Sequence, residues 1–183
     1  MLKKNITFKA SKTFKSIDNF KSAYKFDSEL GSGSFGTVYL GTDLRSERKV
    51  AIKRISKTKI READVYDTLL HQELEILEKT DHPHITRVFE LREDKRYYYV
   101  VMECLTGGDL LARVLKLKKF GEQQAAEIIN QALLALNYMH KQNITHRDMK
   151  PENVVLLDKK LDDGSQGFLV KVLDFGIAKL RVP

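Results

Sequence analysis

Tryptophan is absent from this chain of 183 residues, and cysteine and proline are scarce, with one and three copies. The single cysteine, Cys104, excludes an internal disulfide bond and fits a reducing compartment. No segment approaches the roughly 18 consecutive apolar residues of a membrane-spanning helix, and the N-terminus has no apolar run typical of a secretion signal. The Met-Gly start that precedes myristoylation is also missing. These absences predict a soluble protein of the cytoplasm or nucleus.

Positive charge is concentrated at the N-terminus. The net charge is +7, and residues 1–25 contain seven lysines but a single acidic residue. A lysine-rich leader predicts a disordered, solvated extension over residues 1–23. Phe8, Phe14 and Phe20 are interleaved with these lysines, so a weak contact with a membrane surface or a partner is the alternative. Because no other basic stripe follows, nucleic-acid binding is not expected.

The next part of the chain, residues 24–105, has the composition of a small β-rich lobe. Runs of β-branched and aromatic residues separated by polar turns predict five strands. One amphipathic segment between them predicts a helix. The strands are expected within residues 25–43 (two strands around a glycine-rich turn), 48–56, 84–94 and 96–105, and the helix at 61–80.

Residues 106–183 predict an α-rich second lobe. Helices are expected over residues 109–119 and 122–143, followed by two short strands at 152–158 and 169–175. The longer helix carries an apolar stripe that should face the core. The stripe consists of Ala125, Ile129, Ala132, Leu133, Leu136 and Met139. The chain is therefore assigned to the α+β class, with a five-stranded antiparallel lobe containing one helix, followed by an α-rich lobe.

Three glycines, Gly31, Gly33 and Gly36, form a G-x-G-x-x-G pattern. The dinucleotide-binding version of this pattern needs a helix directly after the third glycine. Here the β-branched and aromatic stretch TVYLG follows, which predicts a strand and places the glycines in a hairpin. Because glycine has no side chain, the backbone N–H groups of such a hairpin can approach a phosphate. The pattern by itself is also compatible with a purely structural hairpin.

Charged residues in three later stretches indicate phosphate chemistry. Lys53 lies in the otherwise apolar VAIK, where it either reaches solvent at a sheet edge or holds an anion. The stretch HRDMKPEN brings Asp148, Lys150 and Asn153 close together, and Asp174 follows in LDFG. Carboxylates and an amide can ligate a metal ion, and lysines neutralise phosphate charge. Phosphoryl transfer requires both.

The stretches GSGSFGTV, VAIK, HRDMKPEN and DFG occur in the order found in the eukaryotic protein kinase family, which residues 24–183 resemble. The resemblance implies a two-lobe kinase fold and transfer of a phosphoryl group from ATP to a protein, with ATP and Mg²⁺ as cofactors. Lys150, two residues after the motif aspartate, is similar to the serine/threonine branch. Flanking stretches resemble the calcium/calmodulin-regulated and calcium-dependent kinases. No EF-hand loop occurs in these residues, so nothing in them supports calcium control.

The resemblance also implies a role for each charged residue. Asp148 acts as the catalytic base and Lys150 steadies the γ-phosphate. Asn153 and Asp174 hold the magnesium ions. Lys53 contacts the α- and β-phosphates and pairs with a glutamate of the first helix.

Two glutamates of that helix, Glu73 and Glu75, are candidates for the pairing. The family places an apolar residue four positions after the glutamate, and this position holds Leu77 for Glu73 but Lys79 for Glu75. Glu73 is therefore the predicted partner. The stacked spine of the family is expected to consist of Leu77, Val88, His146 and Phe175.

The remaining implied residues line the ATP site. The glycine hairpin covers the phosphates, apolar side chains pack on the adenine, and the segment after the gatekeeper position supplies backbone contacts. These residues are Leu30, Gly31, Ser32, Gly33, Ser34, Phe35, Gly36, Val38, Ala51, Lys53, Met102, Glu103, Leu105, Asp109 and Val155. The acidic Asp109 and Glu152 suit a protein substrate with basic residues before its acceptor.

The family pattern continues after DFG with an activation loop and further helices, which these residues do not contain. The chain is thus expected to be the N-terminal part of a longer catalytic domain. Apolar faces of the helices at 109–119 and 122–142 are expected to be left uncovered. Nucleotide binding is expected of the chain alone, whereas efficient peptide phosphorylation is not. A non-catalytic ATP-binding interaction module is the alternative function.

Overall fold

The computed structural model describes residues 15–32, 36–62, 74, 76, 80–117, 120–160, 166–173 and 179–180. The helices within them are α1 (Lys57–Glu62), α2 (Leu110–Leu117) and α3 (Glu122–Lys141), with 3-10 turns at Phe20–Ser22 and Pro151–Asn153. The strands are β1 (Lys15–Ser16), β2 (Tyr24–Ser32), β3 (Gly36–Asp43), β4 (Lys49–Ser56), β5 (Val88–Glu93), β6 (Tyr97–Glu103), β7 (Ile144–Thr145), β8 (Val154–Lys160), β9 (Gln166–Val172) and β10 (Lys179–Leu180). None of the helices described here is both long enough and apolar enough for a membrane span.

Six strands form one sheet in the order β1-β5-β6-β4-β3-β2. Strands β2 to β6 pair antiparallel, which confirms the five predicted strands. β1 pairs parallel with β5 and adds a short sixth strand that the sequence did not predict. Helix α1 begins at Lys57, before the helix predicted at 61–80, and ends at Glu62. Most of the predicted helix lies outside the described residues, and within it Leu74 and Ile76 are helical and buried.

The sheet has two faces because successive side chains of a strand point to opposite sides. Ala51 lies opposite Met102 and Lys53 opposite Val100, so these four residues share one side, which we call the inner face. The inner face continues into a core shared with the second lobe. That core contains Ile55, Ile60, Leu74, Ile76, Ile85, Leu91, Val100, Ala135, Met139, Ile144 and Val172. The outer face carries Val50, Ile52, Tyr99 and Val101.

Residues 15–23 pack on the outer face, which corrects the prediction of a solvated extension up to residue 23. Phe20 is only 3% exposed, and its ring stacks on Tyr24 and Tyr99. The prediction rested on the lysine content of the segment, and one buried aromatic ring outweighs that composition here. Residues 1–14 of the predicted extension lie outside the described residues.

The second lobe is built on α3 and a hairpin. The strands predicted at 152–158 and 169–175 are found as the antiparallel pair β8 and β9. A two-stranded sheet pairs β7 with β10. Helix α2 starts at a cap, because Asp109 Oδ1 accepts a hydrogen bond of 2.7 Å from the Ala112 N–H. α3 packs against β9 with the buried residues Ile128, Ala132, Ala135 and Met139.

The predicted apolar stripe of α3 is correct for Ala132 and Met139, which are buried, and for the half-buried Leu136, but wrong for two of its residues. Ile129 and Leu133, which the stripe included, are each 55% exposed, whereas Ile128 and Ala135 are buried. This helix is apolar on more than one side, so periodicity alone could not choose the buried face. The uncovered apolar faces expected on both helices are present in the structure. The exposed residues are Leu111, Leu115, Leu117, Ile129, Leu133 and Leu134.

Candidate functional site

The inner face of the sheet gathers predicted nucleotide-site residues from three adjacent strands. Val38 on β3 lies opposite Lys53 on β4, and Ala51 on β4 lies opposite Met102 on β6. Ala51 is buried, while Val38, Lys53 and Met102 are half-buried. An apolar wall with a lysine along it has the character of a site for a flat ring attached to an anionic group.

The glycine hairpin of β2 and β3 lies over the end of this face. Gly31 and Ser32 still pair with β3, and Leu30 before them is exposed. A Cβ on Gly36 would lie 2.3 Å from the carbonyl oxygen of Arg54 on β4, so glycine is required for β3 and β4 to approach this closely. Three predicted residues of the turn lie outside the described residues, namely Gly33, Ser34 and Phe35.

The segment after β6 brings residues of the two lobes together. A Cβ on Gly107 would lie 1.6 Å from the carbonyl oxygen of Leu156, so any side chain would separate this segment from β8. The Leu156 N–H donates to the Gly108 carbonyl at 3.1 Å. Asp109 then forms an isolated β-bridge with Val155. Two predicted ATP-site residues, Asp109 and Val155, are therefore direct neighbours.

Glu103, at the end of β6, has a side-chain role in addition to the predicted backbone role. Its Oε1 accepts hydrogen bonds from the Arg87 N–H at 2.7 Å and from Lys171 Nζ at 2.8 Å. Lys171 Nζ also donates to the Ile85 carbonyl at 3.4 Å. Lys171 is almost fully buried in β9. Sequence reasoning missed this residue, although a lysine within an apolar strand is a signal that could have identified it. The ion pair links the segment around half-buried Leu105 to β9.

The stretch HRDMKPEN forms a hydrogen-bonded set between β7 and β8. Lys150 Nζ lies 2.9 Å from Asp148 Oδ2. Asn153 Nδ2 donates to the same oxygen at 2.9 Å and to the Asp148 carbonyl at 2.8 Å. Arg147 has a φ of 66°, a left-handed conformation that residues with side chains seldom adopt, so the chain turns sharply just before Asp148. The three predicted residues of this loop are thus brought together.

His146 ties this loop to the end of β9. Its ring is 1% exposed, and Nε2 lies 2.9 Å from the Leu173 carbonyl. The Asp148 N–H donates to Nδ1 at 3.2 Å, so Nε2 is the nitrogen that donates to Leu173. The Leu173 N–H in turn donates to the Asn153 carbonyl at 2.8 Å. Leu173 therefore bonds to both ends of the loop, directly before Asp174 in sequence.

Asp148 is held in its ionised form. The hydrogen bond from Lys150 lowers the pKa of the Asp148 carboxyl below its ordinary value; partial desolvation opposes this shift, and the Asn153 hydrogen bond adds to it. A carboxylate with a lowered pKa accepts a hydrogen bond from a hydroxyl well but removes its proton poorly in the ground state. The geometry is therefore suited to orienting a hydroxyl group.

Asn153 fits a magnesium ligand. Its Nδ2 makes both bonds to Asp148, and its carbonyl oxygen Oδ1 is the type of ligand that a hard cation prefers. The described residues contain no cluster of three or more His, Cys, Asp or Glu side chains that could hold a metal. A complete site at Asn153 therefore needs a further ligand. The predicted ligand Asp174 lies outside the described residues, as do Glu73, Leu77 and Phe175, so their assignments stay predictions.

A glycine hairpin and a lysine on one sheet face, joined to a second lobe with a bonded Asp-Lys-Asn loop, define a protein kinase domain. The sequence model of the family described as "Protein kinase domain" matches residues 24–182. The chain belongs to the protein kinase family, as the motifs predicted.

Two of the similar relatives have calcium or calmodulin in their names, and a third is a myosin light chain kinase by name. Calcium-dependent protein kinase 4 of Plasmodium falciparum is 41% identical over 155 residues, which is 85% of this chain and 28% of that protein. The calcium/calmodulin-dependent protein kinase cmkA of Emericella nidulans is 43% identical over 159 residues, or 86% and 36% of the two chains. Myosin light chain kinase A of Dictyostelium discoideum is 36% identical, with 86% and 51% covered. The chain thus spans about half or less of each relative.

Proposed function

We propose that the chain carries the catalytic residues of a serine/threonine protein kinase, which transfers the γ-phosphoryl group of Mg-ATP to a Ser or Thr hydroxyl of a protein. The observation that carries this proposal is the bonded set of Asp148, Lys150 and Asn153. The set occurs in a chain of the protein kinase family. Bound Mg-ATP supplies the transferable phosphoryl group and the cations that neutralise its charge.

Each of the protein side chains has a separate role in the proposed transfer. Asp148 orients the acceptor hydroxyl, for which its ionised state is suited, and Lys150 is near enough to share its charge between Asp148 and the γ-phosphate. Asn153 provides one metal ligand, and we propose Asp174 as the other. Lys53 contacts the α- and β-phosphates from the inner face, with Glu73 as its proposed partner.

The nucleotide is proposed to lie along the inner face. The adenine packs between Val38 and Ala51 on one side and Val155 on the other, next to Met102. The backbone of Glu103 and Leu105 binds its edge, and Asp109 contacts the ribose. This proposal is supported by the strand register and by the β-bridge of Asp109 with Val155. The glycine hairpin from Leu30 to Gly36 covers the phosphates.

The serine/threonine type and the protein substrate are part of the same proposal. Lys150 follows the motif aspartate by two residues and bonds to it, which favours the serine/threonine branch. Glu152 is exposed and Asp109 is half-buried near the loop, so a substrate with basic residues before the acceptor is favoured by charge.

Phosphoryl transfer is tested with the product of the complete gene, using radiolabelled ATP, Mg²⁺ and a basic Ser/Thr peptide. The Asp148→Asn variant keeps the size of the side chain and is expected to lower transfer by about 10²–10⁴-fold. Glu122→Gln, which changes an exposed acidic residue at the start of α3, serves as the matched control and should keep kcat. Equal activity of Asp148→Asn and the unchanged protein would contradict the proposal.

Binding is tested separately on the 183-residue chain. Isothermal titration with ATP should give Mg²⁺-dependent binding that Asp148→Asn largely preserves. If the chain binds ATP while the complete gene product transfers no phosphate to any peptide of a degenerate library, the non-catalytic interaction module becomes the better description. Absence of ATP binding together with absence of transfer would reject both functions.

A further inference from the structure

A segment that precedes the kinase match is docked on the domain. The family match begins at residue 24, whereas residues 15–23 are already ordered on the sheet. β1 pairs with the end of β5, and the Ile17 N–H donates to the Glu93 carbonyl at 2.9 Å. We call residues 15–23 the brace. Because the kinase family pattern does not include it, the brace is an addition to the domain.

The brace is anchored by one side chain. The Phe20 ring centroid lies 3.8 Å from that of Tyr99, with the planes 9° apart, and 4.8 Å from that of Tyr24. Its neighbours Asn19 and Lys21 are exposed, and Ile17 is half-buried. A 3-10 turn capped by Asn19 presents the ring to the sheet. One deeply buried ring with exposed neighbours is the pattern of a docked peptide rather than of a core strand.

The slot that receives Phe20 is held open by its own hydrogen bonds. The Tyr99 hydroxyl donates to Asp94 Oδ2 at 2.7 Å, and the Tyr24 hydroxyl donates to Glu90. Both bonds are made by residues outside the brace, and the brace adds the positive charge of Lys15, which interacts with Glu90. A slot whose walls are fixed in advance costs little reorganisation when the ring enters or leaves.

The slot also lies directly behind the nucleotide face. Tyr99 on β6 lies opposite Arg54 on β4, and the next pair along these strands is Val100 with Lys53. Val50 and Val101 of the same apolar cluster alternate with Ala51 and Met102 of the inner face. A ring seated in the slot therefore supports, from the outer side, the two strands that carry the predicted nucleotide contacts.

We propose that the outer face of the sheet is a docking site for the brace, occupied by the chain's own residues 15–23 with Phe20 as the anchor. The brace leaves and rebinds as a unit while the kinase domain stays folded. Its engagement reduces the local opening of β4 and β6. This inference is independent of phosphoryl transfer, since it concerns the packing of an added segment.

Amide hydrogen exchange of the full chain tests the anchor. Phe20→Ala is expected to raise exchange of the Ile17 N–H and of β4 and β6 amides at least about tenfold, because the ring that holds the brace is lost. Lys21→Ala changes the exposed neighbour and should leave exchange unchanged. Ile17→Pro removes only the bond to Glu93 and the Ile17 side chain, and should release β1 while a cooperative melting transition is retained. Unchanged exchange in both Phe20→Ala and Ile17→Pro would overturn the proposal.

Addition of the brace as a separate peptide tests the docking site. A fluorescein-labelled peptide of residues 12–23 should bind the Phe20→Ala chain, measured by anisotropy, and bind the unchanged chain at least about tenfold more weakly, because the chain's own brace competes. The same peptide with Phe20→Ala should not bind. Equal binding to both chains would contradict the proposed site. A concentration-dependent dimer of the unchanged chain that Phe20→Ala abolishes would replace the intramolecular occupant by a second copy, and so overturn the proposal as well.

Discussion

The two faces of the six-stranded sheet differ in how deeply their side chains are buried, although only one layer of backbone separates them. On the outer face, Val50, Ile52 and Val101 are at most 2% exposed under stacked aromatic rings. On the inner face, Val100 is buried in the core shared with the second lobe, whereas Val38, Lys53 and Met102 are only half-buried. The inner face therefore has a partly open area beside its packed core, and the outer face around Val50, Ile52 and Val101 is closed. Substitutions on the inner face should mainly change phosphoryl transfer, whereas substitutions on the outer face should mainly change the free energy of unfolding.

The largest difference is expected between two consecutive residues of β4. Lys53→Met removes a cation from the inner face and should lower phosphoryl transfer by the complete gene product about 10²–10³-fold, since one charge-stabilising group is lost. Arg54→Met alters the outer face, where Arg54 lies 4.9 Å from the ring centroids of Tyr39 and Tyr97. It should change transfer less than about twofold and cost about 1–2 kcal/mol of stability. Similar activity losses in both variants would remove the functional distinction between the faces.

Truncation of a buried side chain on the outer face should lower the free energy of unfolding and leave ATP affinity unchanged. Ile52 is 0% exposed, so Ile52→Ala is expected to lower the free energy of unfolding by about 2–5 kcal/mol in urea titrations. Leu44→Ala, at an exposed turn position beside the same face, should change it by less than about 0.5 kcal/mol. ATP affinity at 10 °C, where the variant stays folded, should be preserved. A large loss of affinity would show that the two faces are coupled.

A smaller effect is expected where the inner face meets the second lobe. Among the described residues, Lys171→Met leaves the Glu103 carboxylate with the Arg87 N–H as its one partner, and should cost about 1–3 kcal/mol in urea unfolding. Lys49→Met breaks an ion pair whose lysine is 59% exposed, so it should cost less than about 1 kcal/mol. A larger cost for Lys49→Met than for Lys171→Met would contradict the structural ranking of these pairs.

The smallest expected effect is a pH dependence at the edge of the inner face. The hydrogen bond from Lys49, together with that from Thr42, lowers the pKa of Asp27 to about 2. Because the pKa is lower in the folded state, this contribution to stability is complete above the unfolded value near 4 and is lost as the pH falls toward 2. Asp27→Asn should therefore reduce the loss of stability between pH 4 and pH 2, measured by thermal unfolding. An unchanged pH profile would contradict the assignment.

Local patterns in the sequence predicted most of the fold and the candidate site. The five strands and the β8–β9 hairpin follow from alternating apolar residues and turns, which depend on near neighbours in the chain. The Asp148–Lys150–Asn153 set lies within six residues, so its geometry is also largely local.

Features that depend on distant residues could not be predicted. The partner of Phe20 is Tyr99, and lysine content pointed to disorder instead. Lys171 meets Glu103 across 68 positions of sequence. Ile129 and Leu133 were wrongly assigned to the buried side of α3 because the position of that side depends on β9, and the sequence of α3 offers apolar residues on both sides.

The position of Leu173 limits how this site can adjust to a ligand. Its carbonyl is held by His146 and its N–H by the Asn153 carbonyl, so one peptide segment fastens both ends of the loop around Asp148. Because both bonds are made by the same residue, a shift of the end of β9 should carry the Asp148 carboxylate and the Asn153 amide with it. We expect the separation between these two groups to vary less than their distance from Lys53 on the sheet.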